Sequence, residues 1–196
     1  MGRASSLLRK SWSRYAFGCE PMPRLSVHTS KVHNARVCHT QIVLEFTADL
    51  VIEAPPEKVL DAFFDPTALA AWWRAKHAVC VPRPLGSYAI EWEPTEFRDE
   101  VLGRLGGTLH ATVMEFKPGR EFFLADAYWL PPDGDPIGPM AVEVTCNRHI
   151  WGTQLHLRQS AYEEGPRWRR YYDVIAPGWT RALESLKKFV ESGRID

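Results

Sequence analysis

A change of period at a double proline constrains this chain more than any other feature. Leu44, Phe46, Ala48, Leu50 and Ile52 alternate with Glu45, Thr47, Asp49, Val51 and Glu53, the period-two pattern of a strand with one buried face. Ala54-Pro55-Pro56 ends that strand, because proline has no N–H to give to a ladder. Glu57 to Phe64 then sets Val59, Leu60, Phe63 and Phe64 at helical spacing, Asp65-Pro66 interrupts, and Leu69-Ala70-Ala71-Trp72-Trp73 resumes. The spacing predicts a strand, a short helix, a break and a second short helix. Near the other end Gly178-Trp179 opens a stretch to Val190 whose apolar residues lie on one side of a long helix. Ile175, Trp179, Ala182, Leu186 and Phe189 form its stripe, and Pro177-Gly178 is expected to bend or divide it.

Between these ends the chain reads as strands and turns. Tyr88, Ile90 and Trp92 alternate with Ala89, Glu91 and Glu93. Leu109 to Phe116 and Glu121 to Trp129 flank the turn Lys117-Pro118-Gly119-Arg120, which predicts a hairpin. Met140 to Asn147 and Thr153 to Ser160 form a second pair, and Pro131 to Pro139 reads as an irregular loop. The result is an α+β layer architecture, a curved antiparallel sheet with a long C-terminal helix and two short helices after the first strand.

Particular residues carry a resemblance. They are Ala54-Pro55-Pro56-Glu57-Lys58-Val59, Asp65-Pro66 with Trp72-Trp73, Gly86-Ser87-Tyr88, Glu115-Phe116-Lys117-Pro118-Gly119-Arg120, Gly152-Thr153-Gln154-Leu155, and Gly178-Trp179 with Leu183 and Leu186. In order and spacing the stretch from Gln41 to Gly193 resembles the START-like, or SRPBCC, helix-grip superfamily. Within it, the stretch is similar to the family of the activator of the heat-shock-protein-90 ATPase. The resemblance implies a sheet wrapped around the last helix and a cavity between them that often takes a ligand.

Charge divides unevenly along the 196 residues. Residues 1 to 41 carry seven Lys and Arg against Glu20 alone, leaving 17 of the 24 basic and 23 of the 24 acidic residues to the remainder. A mildly acidic domain does not fit a nucleic-acid partner, which asks for a basic face. The apolar runs are too short for a transmembrane segment. Residues 1–40 are read as a basic tail without a fold of its own, and 41–193 as the domain. Their Arg and Ser also suit a transit peptide, Met1-Gly2 with Ser6 fits a myristoylation pattern, and Met22 offers another start. Cys19, Cys38, Cys80 and Cys146 show no CxxC pair and read as reduced thiols, which points to a cytoplasmic protein. Cys38-His39 with His28 and His33 matches no zinc module, so no metal or cofactor is expected.

Strand phase gives the candidate site. With Phe116 opposite Phe122 on the concave face, unbroken alternation sets Met114 against Leu124, Thr112 against Asp126, and His110 against Tyr128. His110 and Asp126 would then form an acid–base pair with Tyr128 as an orienting donor, against the alternatives that the register is off by one residue or that these groups satisfy one another at a wet rim. Asp126 departs from the resembled family, which tends to be aromatic there. The aromatic set, with Trp73, Tyr88, Trp92, Tyr172 and Trp179 beside Ile175, suits a flat or greasy ligand and equally suits a core. Arg167-Trp168-Arg169-Arg170 reads as a solvated face or as a cation at the pocket mouth.

No nucleophile elbow, phosphate loop, dinucleotide fingerprint or HExxH helix occurs. Three functions compete. The leading one is a START-like domain that binds a small hydrophobic or aromatic ligand under the long helix. The second is an enzyme similar to polyketide cyclases, using His110, Asp126 and Tyr128 in that cavity. The third is a protein-interaction module, as the chaperone activator is.

Overall fold

A computed structural model describes residues 45–161 and 165–192. The tail, its Cys38-His39 group and the domain's two outermost ends lie outside the described residues. Strand β1 (Glu45–Ile52) leads into helix α1 (Pro56–Asp61) and helix α2 (Pro66–Trp72), in the predicted order. The Asp-Pro break works as a cap: the Asp65 carboxylate accepts from the Thr67 and Ala68 amides at 2.7 and 3.4 Å, and Pro66 occupies the first turn, where its missing N–H costs nothing.

Strands β2 (His77–Cys80), β3 (Gly86–Trp92), β4 (Arg98–Asp99), β5 (Gly103–Arg104), β6 (Gly107–Lys117), β7 (Glu121–Leu130), β8 (Ile137–His149) and β9 (Gly152–Ala161) follow, and helix α3 (Pro166–Ser192) ends the described chain. Seven strands form one antiparallel sheet in the order β1-β9-β8-β7-β6-β3-β2, while β4 and β5 make a small separate hairpin. Strand β2 and the β4–β5 flap were not anticipated. Strand β8 begins inside the expected loop, with Ile137 only 3% exposed.

Helix α3 lies across the concave face, burying Trp168, Tyr171, Tyr172, Ala176, Trp179, Ala182, Leu183, Leu186 and Val190. Pro177 lies inside α3 and does not divide it. It removes one ladder bond, and the buried residues on either side clamp the helix to the sheet. No helix among the described residues is long and apolar enough to cross a membrane.

The β6–β7 register differs from unbroken alternation. Phe116 does face Phe122, and His110 does face Tyr128, but Val113 meets Leu124 and Thr112 meets Ala125. Two compensating bulges explain this. Met114 is the extra residue on β6, and Asp126, with φ of 50°, is the extra residue on β7. Each bulge reverses the alternation for residues farther from the hairpin turn, so Leu109, Ala111 and Val113 point inward and are buried. Aspartate tolerates the left-handed conformation better than most side chains, which allows the bulge there.

Candidate functional site

The sheet's concave face, α1, α2 and α3 enclose a cluster of rings. Trp73, at the C-terminal cap of α2, stacks on Trp72 at 4.9 Å and meets Trp92 at 5.1 Å and Trp179 at 4.7 Å. Phe63 packs on Trp72 and Phe122, and Phe64 on Tyr88 and Phe122. Such pairs add to area burial when rings are offset or edge-on.

Most polar tips around this cluster are committed to the fold. Trp72 Nε1 donates to the Ala62 carbonyl, Tyr88 Oη to the Phe63 carbonyl, Trp92 Nε1 to the Trp73 carbonyl and Trp129 Nε1 to the Gly106 carbonyl. Trp179 Nε1 donates at 2.6 Å to Oε1 of Gln159, whose Nε2 donates at 2.9 Å to Tyr171 Oη and contacts Met140 Sδ. Gln159 is 2% exposed. It stitches β9 to α3 and was not singled out in the sequence, where it is one polar residue in an alternating strand. The Tyr172 hydroxyl is the exception, a buried group with no hydrogen-bond partner.

Within this cluster lies a cavity of about 10 Å³ lined by Phe63, Trp73, Tyr88, Leu109, Phe122, Leu124, Val142, Val144 and Trp179. That is room for about one water, far below the several hundred Å³ of an ordinary ligand site. Eight of the nine lining residues are buried, and Trp73 alone is half-buried. The one titratable lining group, Tyr88, is pushed well above the usual tyrosine range by burial.

Of the candidates, Trp73, Tyr88, Leu124 and Trp179 line the cavity. Trp92 packs behind Trp73, and Tyr172 and Ile175 lie elsewhere on α3. His110, Asp126 and Tyr128 are exposed, and Thr112 and Met114 are half-buried on the same outer side of β6 and β7. The expected concave polar patch is therefore corrected: the bulges turn it to the convex face, and no hydrogen bond or ion pair joins His110 to Asp126. Phe63, Leu109, Phe122, Val142 and Val144 line the cavity without having been singled out for it.

At the opposite end of α3 from its C-terminus, the β4–β5 flap closes over the fold. Asp99 is 4% exposed, accepts from the Val101 and Leu102 amides, and pairs with Arg170 at 2.7 and 2.6 Å. The Arg170 guanidinium holds its carboxyl below the usual aspartate range. Leu102, 1% exposed, enters the core beneath it. Arg167 donates to the Pro136 and Asp135 carbonyls. The arginine run thus fastens α3 to two loops. A polar hollow of about 510 Å³ lies between Arg98, Asp133, Asp135 and Arg167. Among the described residues no group of three or more His, Cys, Asp or Glu is placed to hold a metal ion.

A family model described as Activator of Hsp90 ATPase homolog 1-like protein matches residues 53–191. A crystal structure of a Mesorhizobium loti protein is similar, with TM-score 0.59, 22% identity and coverage of 77% of this chain and 99% of that one. A Chromobacterium violaceum protein gives TM-score 0.51 and 25% identity over 75% of this chain and 97% of that one. The solution structure of the Aha1 dimer of Colwellia psychrerythraea gives 0.55 and 17% over 77% and 98%. No curated protein matches.

Proposed function

The chain belongs to the family of activator of Hsp90 ATPase homolog 1-like proteins, and from that footing we propose that it binds a small apolar or aromatic molecule between its sheet and α3. The observation that carries this reading is the ring-rich, uncharged lining of the interior cavity, with Trp73 as its one half-buried member and the other eight buried. A flat ligand enters by displacing Trp73 and takes its place against Trp179, Tyr88 and Phe122, exchanging one ring contact for another. No charged side chain waits inside, so recognition is by shape and apolar area.

Acid–base catalysis in this cavity has little to draw on. His110, Asp126 and Tyr128 are exposed, and the Tyr88 hydroxyl is committed to the Phe63 carbonyl.

Titration with 1-anilinonaphthalene-8-sulfonate, followed by its fluorescence, tests the reading. Wild type is expected to bind one equivalent with displacement by an apolar aromatic competitor, and Trp73→Ala, which removes the door, to bind faster and at least as tightly. Binding that is unchanged by Trp73→Ala and by Leu124→Trp, which fills the cavity, would overturn it.

A further inference from the structure

The β8–β9 turn exposes what a hairpin tip ordinarily hides. Ile150 is 84% and Trp151 66% exposed, at a position where short turns favour Gly, Asn and Asp. Behind the tip, Gly152, with φ of 131°, lies so close to β1 that an added Cβ would come within 2.3 Å of the Ile52 carbonyl oxygen, so the turn is seated directly against β1.

The same end of the sheet carries two other connections. Glu121 pairs with Thr145, which places the β6–β7 turn beside β8, and β8 continues past it to His149. Leu85 donates its amide to the Val113 carbonyl, which brings the β2–β3 loop to that end, and Leu85 is 74% exposed. Residues 82–85, 117–120 and 147–152 together hold Arg83, Lys117, Arg120, Arg148 and His149 and not one acid. Lys117 is held by Glu115 and Glu121 at 2.6 Å, and Arg148 lies 3.6 Å from Glu57. Arg83 and Arg120 are exposed at the same end.

The geometry points to an anionic lipid surface as the partner of this end. Trp151 and Ile150 enter the boundary between headgroups and acyl chains, where an amphipathic indole is at home, and Arg120, Arg148 and Arg83 meet the phosphates. A second copy of the chain fits less well. Two protruding side chains offer roughly 300 Å², well short of the ~800 Å² per partner of a stable interface, and the excess of cations would face itself. This inference does not depend on what the interior cavity holds.

Flotation of the full chain with phosphatidylcholine vesicles, with and without phosphatidylserine, tests it. Binding is expected only with phosphatidylserine and is expected to weaken with salt. Ile150→Ser with Trp151→Ser should lower partitioning roughly tenfold without moving the melting temperature, and Arg120→Gln should lower it about fivefold. The basic segment before residue 42 can hold anionic vesicles by charge alone, so the tip variant decides. Full binding by that variant overturns the inference. So does a concentration-dependent dimer, lost in the tip variant, in a protein that ignores phosphatidylserine.

Discussion

The Gln159 bridge between sheet and helix carries a prediction with a sign. Trp179→Phe keeps most of the ring against Phe46 and Trp73 but removes the Nε1 donor, leaving Oε1 of a 2% exposed glutamine without its 2.6 Å bond. An orphaned buried acceptor costs about 1–3 kcal/mol, and the smaller ring adds about 1 kcal/mol of lost packing. Gln159→Leu is expected to cost about 2–3 kcal/mol, because it strands the Trp179 N–H and deprives Tyr171 Oη of its donor. In the double variant the Trp179 N–H and the glutamine leave together. Its cost should fall short of the sum of the singles by about 1–2 kcal/mol. Urea unfolding at constant slope measures all four proteins. Additive costs would show that the bond contributes nothing beyond packing and would refute the reasoning.

Three other outcomes follow from named contacts. Asp126→Val puts a good strand former at an exposed strand position, yet φ of 50° makes it destabilising by about 1–2 kcal/mol; a stabilised protein in the same urea assay would contradict the bulge. Burial pushes the Cys80 and Cys146 thiols up to about 12, so peptide-resolved alkylation at neutral pH should be slow at both and accelerate in urea, whereas rapid native labelling would show the interior open. Asp99, held low by Arg170, contributes stability above the ordinary carboxyl range and loses it as pH falls through its lower folded value. The advantage of wild type over Asp99→Asn in melting temperature should therefore be full at neutral pH and shrink below about pH 4, and an advantage independent of pH would reject the ion pair.

The opening of the fold was legible because its signals are local. Pro55-Pro56 ends β1, Asp65-Pro66 caps α2, and alternation marks the long strands. The length of α3 was less legible: a proline lowers the helix signal at Pro177, whereas burial of Tyr171, Tyr172 and Ala176 before it decides the outcome. The concave polar patch failed for a physical reason that alternation cannot reveal. Neither bulge is marked by a glycine, and the paired ends of β6 and β7 fall where unbroken alternation puts them. Gln159, Asp99 and Leu102 gain their roles from partners far away in sequence, and two-residue strands such as β4 and β5 have no period to read.

Native mass spectrometry of the full chain, purified without added ligand and then incubated with a mixture of apolar aromatic compounds, tests the central claim most directly. The account predicts one bound organic molecule per chain, retained under gentle activation, lost on unfolding and excluded by Leu124→Trp. A bare protein mass under every condition, with Trp73→Ala equally empty, would contradict it.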